Sequence, residues 1–201
     1  MSLERIDNPS DISKRKDHIL RYQLAANFAK KINASSIVDC AAGIGYGCNI
    51  LARALPTTRV TGIELSEKAA KVFNESFRLN NINYINSNYK DVPIKMLKSD
   101  LFVSFEFIEH IWDSEIFLHK ISNSSKFLIL STPNELVRPH KLKQVNEHHI
   151  KHFRPYEMKL KLARHGFKIL KEFSQVSGSQ PEIKPGLNGK FMIFIAKNTK
   201  I

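Results

Sequence analysis

Ser36-Ile37-Val38-Asp39-Cys40-Ala41-Ala42-Gly43-Ile44-Gly45-Tyr46-Gly47 is the stretch that decides the fold. Ile37-Val38 reads as the end of a buried strand. An acid follows at once, and glycines then stand at alternate positions, 43, 45 and 47. Behind them, Cys48 to Leu55 forms a helical pattern with Ile50, Leu51, Ala54 and Leu55 on its inner side. Strand, glycine turn and helix in that order make the nucleotide-cradling unit of a doubly wound α/β fold. Glycine there lets the backbone approach a ligand where a Cβ would collide.

The acid selects the ligand. A dinucleotide places its pyrophosphate at this turn and at the helix N-terminus. Asp39 at the mouth of the turn would repel it, and Cys48 stands where the third glycine of GxGxxG belongs. A ligand with a cationic amino-acid end and no phosphate suits a carboxylate, and S-adenosylmethionine is such a ligand. The stretch resembles the first motif of the class I S-adenosylmethionine-dependent methyltransferases, an acid followed by a small-residue turn of the form GxG.

Further along, Arg59-Val60-Thr61-Gly62-Ile63-Glu64 is a second buried strand ending in an acid, about twenty residues past the glycines. An acid at that place accepts hydrogen bonds from both ribose hydroxyls. Leu65-Ser66-Glu67 resembles the family's link into the next helix, with Ser66 as its N-cap. Ile82–Asn86 is a third strand, and Asn88-Tyr89 stands where the family contacts the adenine. Asp100 to Ile111 begins as a strand, leaves the sheet near Phe105 and carries Glu106, Glu109 and His110 toward the ligand edge. Its Glu-His pair resembles the ubiquinone-type relatives within the family, which include small-molecule and glycan methyltransferases. Lys126–Ser131 is the fifth strand, ended by Thr132-Pro133. Phe167–Ser174 and Lys190–Lys197 are two late strands joined without a helix, matching the family's antiparallel addition.

The resemblance covers roughly residues 17–197. It implies one Rossmann-like α/β domain over 17–201: a mostly parallel seven-stranded sheet, an antiparallel C-terminal strand and helices on both faces. Residues 1–16 are expected to be loose, and 136–153 to form a substrate-binding insertion. The implied cofactor is S-adenosylmethionine, leaving as S-adenosylhomocysteine. Asp39, Ala41, Gly43 and Gly45 would hold its methionyl end, and Glu64 with Leu65 the ribose. Asn88 and Tyr89 would meet the adenine, and Phe105 would pack on the adenosyl group. The helix before the first strand, patterned on His18, Ile19, Tyr22, Ala25, Ala26 and Ala29, offers Arg21 for the methionine carboxylate and Tyr22 to close over it. In the subgroup an Asn, a His and an aromatic introduce the helix after residue 154, which maps onto Asn146, His149 and Phe153, although Glu147 stands in place of an expected proline. Leu160, Leu162 and Ala163 are expected inward on that helix.

Histidine as a residue type titrates near working pH, so His149 suits a general base for a hydroxyl acceptor, with His110 as the other candidate. His148, His149 and His152 invite a metal, but adjacent side chains point apart on a strand, so no metal site is expected. The acceptor is expected to be a small polar molecule, a sugar, nucleotide sugar or glycan precursor. Two readings stand beside it: a nucleic-acid methyltransferase, and a non-catalytic protein that binds the cofactor.

Composition limits these choices. The 201 residues suit one core, and the apolar and charged fractions, 42% and 25%, are those of a globular protein. No apolar run spans a bilayer, no leader is recognisable, and Cys40 and Cys48 fit free thiols in a reducing cytoplasm. The net charge of +12 favours an anionic partner, nucleic acid included, but the lysines are scattered and no nucleic-acid module is appended. A homodimer stays open.

Overall fold

The computed structural model describes residues 6–140, 148–176 and 179–201. Pro9–Lys14 is a 3-10 helix, and Ile6 before it is buried. The chain then runs α1 (Lys16–Lys31), β1 (Ser36–Cys40), α2 (Tyr46–Ala54), β2 (Arg59–Glu64), α3 (Glu67–Ser76) and β3 (Ile82–Asn86). It continues through α4 (Ile94–Leu97), β4 (Ser99–Phe105), α5 (Ser114–Ser122) and β5 (Ser125–Pro133). Last come α6 (Pro155–Arg164), β6 (Phe167–Gln175), β7 (Lys184–Pro185) and β8 (Phe191–Asn198).

The strands form one sheet in the order β3-β2-β1-β4-β5-β8-β6-β7. The first five are mutually parallel, and β8 runs antiparallel between β5 and β6. Among the described residues the sheet has eight strands where seven were expected. The additional one is the two-residue β7, which pairs antiparallel with the edge of β6. The order places β2 and β4 on opposite sides of β1. Connections leave β1 and β4 in opposite directions, so a crevice opens at their carboxyl ends, where open α/β sheets bind ligands.

Strand side chains alternate between faces, and the sequence fills both. Ile37, Leu101, Val103, Ile129, Ile193 and Ile195 pack beneath α1 and α2 with Ala25, Ala29, Leu51 and Ala52. Val38, Phe102, Leu128, Leu130, Met192 and Phe194 pack on the other side with Phe117, Leu118 and Ile121 of α5 and Met158 and Leu162 of α6. Leu160 and Ala163 of α6 point to solvent instead of inward. Met158 takes the inward place one turn before Leu162.

Pro133 does not end the β5–β8 ladder. It pairs with Phe191 as the last residue of β5, and the amide of Asn134 donates to the Lys190 carbonyl at 2.8 Å. A proline removes only its own donor, so its neighbour can continue the ladder. Asn134 also bridges to Phe153, which brings the segment around His149 back onto the sheet edge. Of the expected insertion 136–153, residues 141–147, with Asn146 and Glu147, lie outside the described residues.

Candidate active site

A cavity of about 320 Å³ opens at the carboxyl ends of the parallel strands. Cys40 and Ala41 come to it from β1, and Ile63, Glu64 and Leu65 from β2. Ser87, Asn88, Tyr89 and Lys90 follow β3, while Phe107 and the run His110 to Asp113 follow β4. The cavity lies within the range of small-molecule sites, a few hundred Å³.

Glu64 is the anchored acid of this cavity. Its Oε2 accepts from the Gly43 amide and its Oε1 from the Ser66 amide, each at 2.9 Å. The carboxylate thus ties the glycine turn to the link after β2 and keeps lone pairs for further donors. Ser66 caps α3 by accepting from the Ala69 amide at 3.2 Å. The turn itself is left-handed at Ala41, Gly43 and Gly45, with φ of 64°, 55° and 83°. A Cβ on Gly45 would lie 2.4 Å from the Phe73 ring, which stacks on Tyr84, and the Tyr84 hydroxyl in turn donates to the Gly43 carbonyl.

Of the residues expected at the cofactor, Ala41, Glu64, Leu65, Asn88 and Tyr89 line the cavity, as does His110, a candidate base. Asn88 uses its Oδ1 to accept from the Lys90 amide at 3.0 Å, an Asx turn that shapes the loop after β3. Tyr89 packs edge-on to Phe107 and Phe117, and its buried hydroxyl has no hydrogen-bond partner.

Asp39, Gly43, Gly45, Arg21, Tyr22 and Phe105 are not in the lining. The pleat explains Asp39: next to Cys40, which faces the cavity, it turns to the opposite side beneath α1. It is fully buried there, accepting from the Tyr22 hydroxyl at 3.1 Å and the Cys48 thiol at 3.3 Å. Burial pushes its carboxyl up to about 7. Tyr22 covers Asp39 and packs edge-on to Phe105 at 5.1 Å, so Phe105 is engaged with α1 and Phe107 takes the place on the cavity wall. Arg21 is fully buried between Asp17 at 2.9 Å and Glu106 at 2.7 Å, and also donates to Ser131 at 3.0 Å. Burial alone would raise the Asp17 carboxyl. The bond from Arg15 and the charges of His18 and Arg21 outweigh that and hold it well below the usual range. Glu106 sits at φ 49°, a left-handed non-glycine kink at the point where the chain leaves β4.

Beside the cavity stands a histidine group. His110 faces His149 edge-on, with ring centres 4.5 Å apart. His149 contacts His152 at 2.6 Å, and His152 donates from Nδ1 to the Arg138 carbonyl, also at 2.6 Å. Burial lowers His152 to about 4, against the raising effect of its bond to the Arg138 carbonyl. Glu109 is fully buried and accepts from the Thr132 hydroxyl at 3.2 Å. Burial and then the charge of Glu106 push its carboxyl well above the ordinary range.

The sequence reading missed Trp112, the chain's single tryptophan, which stands 84% exposed at the cavity rim. It also missed Asp113 and Lys90, which pair across the cavity mouth at 2.5 Å. A lone tryptophan two residues past a Glu-His pair was an available signal.

Residues 37–126 match the model of a family described as a methyltransferase domain. The match, the relatives and the solved structures together support a class I S-adenosylmethionine-dependent methyltransferase domain. It is 25% identical over 154 residues to a probable S-adenosylmethionine-dependent methyltransferase of Mycobacterium tuberculosis, a match covering 75% of this chain and 54% of that protein. The chain therefore spans about half the length of the curated relatives it matches. The domain also resembles magnesium protoporphyrin IX methyltransferase from Synechocystis, solved with bound S-adenosylmethionine: TM-score 0.67, 14% identity, 91% of this chain and 80% of that one. The N-terminal domain of EvdMO1, solved with S-adenosylhomocysteine bound, superposes with TM-score 0.65 and 15% identity, covering 89% of this chain and 81% of that one. The same EvdMO1 domain has also been solved in the presence of S-adenosylhomocysteine and D-fucose. Among the described residues no helix is long and apolar enough to cross a membrane.

Proposed function

We propose that this domain transfers a methyl group from S-adenosylmethionine to a hydroxyl of a small polar acceptor, a sugar, nucleotide sugar or glycan precursor. The observation that carries the reading is Glu64, an acid anchored by two backbone amides inside a cavity at the switch point of the sheet. Glu64 would accept from the ribose hydroxyls. Leu65, Asn88, Tyr89 and Phe107 would enclose the adenine, and the unpartnered Tyr89 hydroxyl is a polar group such a ligand could satisfy. The methionyl end would run along the turn from Ala41 to Gly45. Asp39 would support that turn from beneath, through the backbone of Cys40 and Ala41, rather than by touching the ligand.

The cofactor supplies an activated methyl on a sulfonium, so the chain's own task is alignment and exclusion of water. His110, on the cavity wall, and His149 behind it mark the acceptor end, where the acceptor's proton is released. The charge of +12 suits an anionic acceptor, and the resemblance to EvdMO1, solved in the presence of a sugar, supports this substrate class. The same charge favours nucleic acid as a second reading, and acceptor binding that weakens steeply with salt would support it.

Trp112 makes the test direct, because ligand entry changes the surroundings of the only tryptophan. Titration with S-adenosylhomocysteine should shift the fluorescence and saturate. Glu64→Gln should weaken binding by roughly 10- to 100-fold, the loss expected for hydrogen bonds to a charged acceptor. No fluorescence change and no thermal stabilisation at saturating ligand would overturn the reading.

A further inference from the structure

Three side chains beside the cavity converge in a way that methyl transfer alone does not require. Glu109, His110 and His149 each offer one ligating atom, and these atoms all lie within 4.8 Å of one another. Glu109 and His149 are buried, and His110 is half-buried and lines the cavity. The Oε1 of Glu109 is buried without any hydrogen-bond partner. A buried carboxylate oxygen left unpaired is costly and calls for a counter-charge.

The hydrogen bonds also settle the histidine tautomers. A carbonyl can only accept, so His110 Nδ1, 3.0 Å from the His148 carbonyl, carries a proton and its Nε2 carries the lone pair. His152 donates from Nδ1 to the Arg138 carbonyl, so a neutral His152 ring offers its Nε2 as an acceptor. That nitrogen receives the proton of His149 Nδ1 at 2.6 Å, so His149 also keeps its lone pair on Nε2. Both rings are thus held in the form that ligates a metal, each donating its other N–H to an outer partner, the usual support for a metal-bound imidazole. Thr132 orients Glu109 in the same manner through its second oxygen.

We propose that Glu109, His110 and His149 form a binding site for one divalent transition-metal ion at the acceptor end of the cavity. Two imidazoles and one carboxylate favour a borderline ion of the manganese-to-zinc series over magnesium or calcium. Three protein ligands leave positions open for the acceptor. The expectation of no metal considered a different set, His148, His149 and His152. The fold pairs His149 with two residues from the loop after β4, and His152 supports it from behind. The chemical role rests on the methyl-transfer reading. A hydroxyl oxygen on the ion loses its proton more readily. The proton leaves to water, the O–CH₃ bond forms as the S–CH₃ bond breaks, and sulfur keeps the electron pair as a thioether.

The test uses the full chain, stripped of metal and titrated with Co²⁺, read by its visible absorption. Wild type should bind one equivalent with bands from nitrogen and oxygen ligands. Glu109→Gln and His149→Gln should each weaken binding by at least about tenfold. His165→Gln, on a surface histidine paired with Glu115, should leave it unchanged. Thermal unfolding checks that each variant is folded. Failure of wild type to bind Co²⁺, or binding unaffected by Glu109→Gln and His149→Gln in folded protein, overturns the site. S-adenosylhomocysteine binding, followed separately through Trp112, distinguishes this failure from failure of the methyl-transfer reading.

Discussion

Substituting Gly47 by alanine should destabilise the protein, although it removes a glycine from a helix. Gly47 lies in the first turn of α2 directly against Tyr22. A Cβ there would sit 2.0 Å from Tyr22 Cζ and 2.3 and 2.5 Å from its two Cε atoms, so the ring must move. It has little room, being 5% exposed and packed edge-on between Tyr46 at 5.7 Å and Phe105 at 5.1 Å. Overpacking of this kind costs about 1–3 kcal/mol. Displacing the Tyr22 hydroxyl from the buried Asp39 carboxyl adds about 1–3 kcal/mol. Against these stands a helix-propensity gain of at most about 1 kcal/mol. The net expectation is a loss of roughly 3 kcal/mol, which for a domain this size lowers Tm by roughly 6–12 °C. Calorimetry or chemical denaturation reads it, and a double-mutant cycle isolates the cause. In a Tyr22→Leu background the ring is gone, so Gly47→Ala should become neutral or stabilising by up to about 1 kcal/mol. If Gly47→Ala unfolds at or above the wild-type temperature, or costs the same in both backgrounds, the account of Tyr22 as a lid pressed between Gly47 and Asp39 is wrong.

Other expectations follow from the same structure. Asp39 titrates near 7 when folded and near 4 when unfolded, so the folded state holds its proton more tightly between those values and stability falls as pH rises through that window. Asp39→Asn should remove on the order of 2–4 kcal/mol of that dependence, seen as a gain over wild type at pH 8 that is absent at pH 4; parallel pH–stability curves would contradict it. Ala41→Gly should stabilise by about 0.5–1 kcal/mol by relieving a left-handed alanine, measured as a higher denaturant midpoint, and a lower midpoint would show that the Cβ matters more than the backbone. Arg21→Met should cost about 3–5 kcal/mol by stranding Asp17 and Glu106. A variant of undiminished stability that only lost affinity for S-adenosylhomocysteine would instead return Arg21 to the role of carboxylate clamp.

Sequence alone determined the unit at Ser36–Gly47, the second strand-end acid Glu64 and the alternation of strand with helix. These are local signals: an apolar strand, glycines at a turn and an acid at a strand end are readable within a dozen residues. They were enough to expect an S-adenosylmethionine-type cavity. The two-residue β7 escaped notice because so short a strand has no periodicity. Which residues face the cavity was decided only by the tertiary structure. A strand sends neighbours to opposite faces, so Cys40 reaches the cavity while Asp39 is sealed beneath Tyr22. Arg21 and Phe105 were chosen for chemistry suited to a ligand, yet each is engaged with groups far away in the chain, Glu106 and Ser131 for one and Tyr22 for the other. Glu109, His110 and His149 likewise meet where the later segment returns to the sheet, through the Asn134–Phe153 bridge and the Ile150 amide donating to the Glu109 carbonyl at 2.8 Å. Local pattern specifies the elements, but contacts between residues tens of positions apart depend on the folded sheet, and no single stretch of sequence records them.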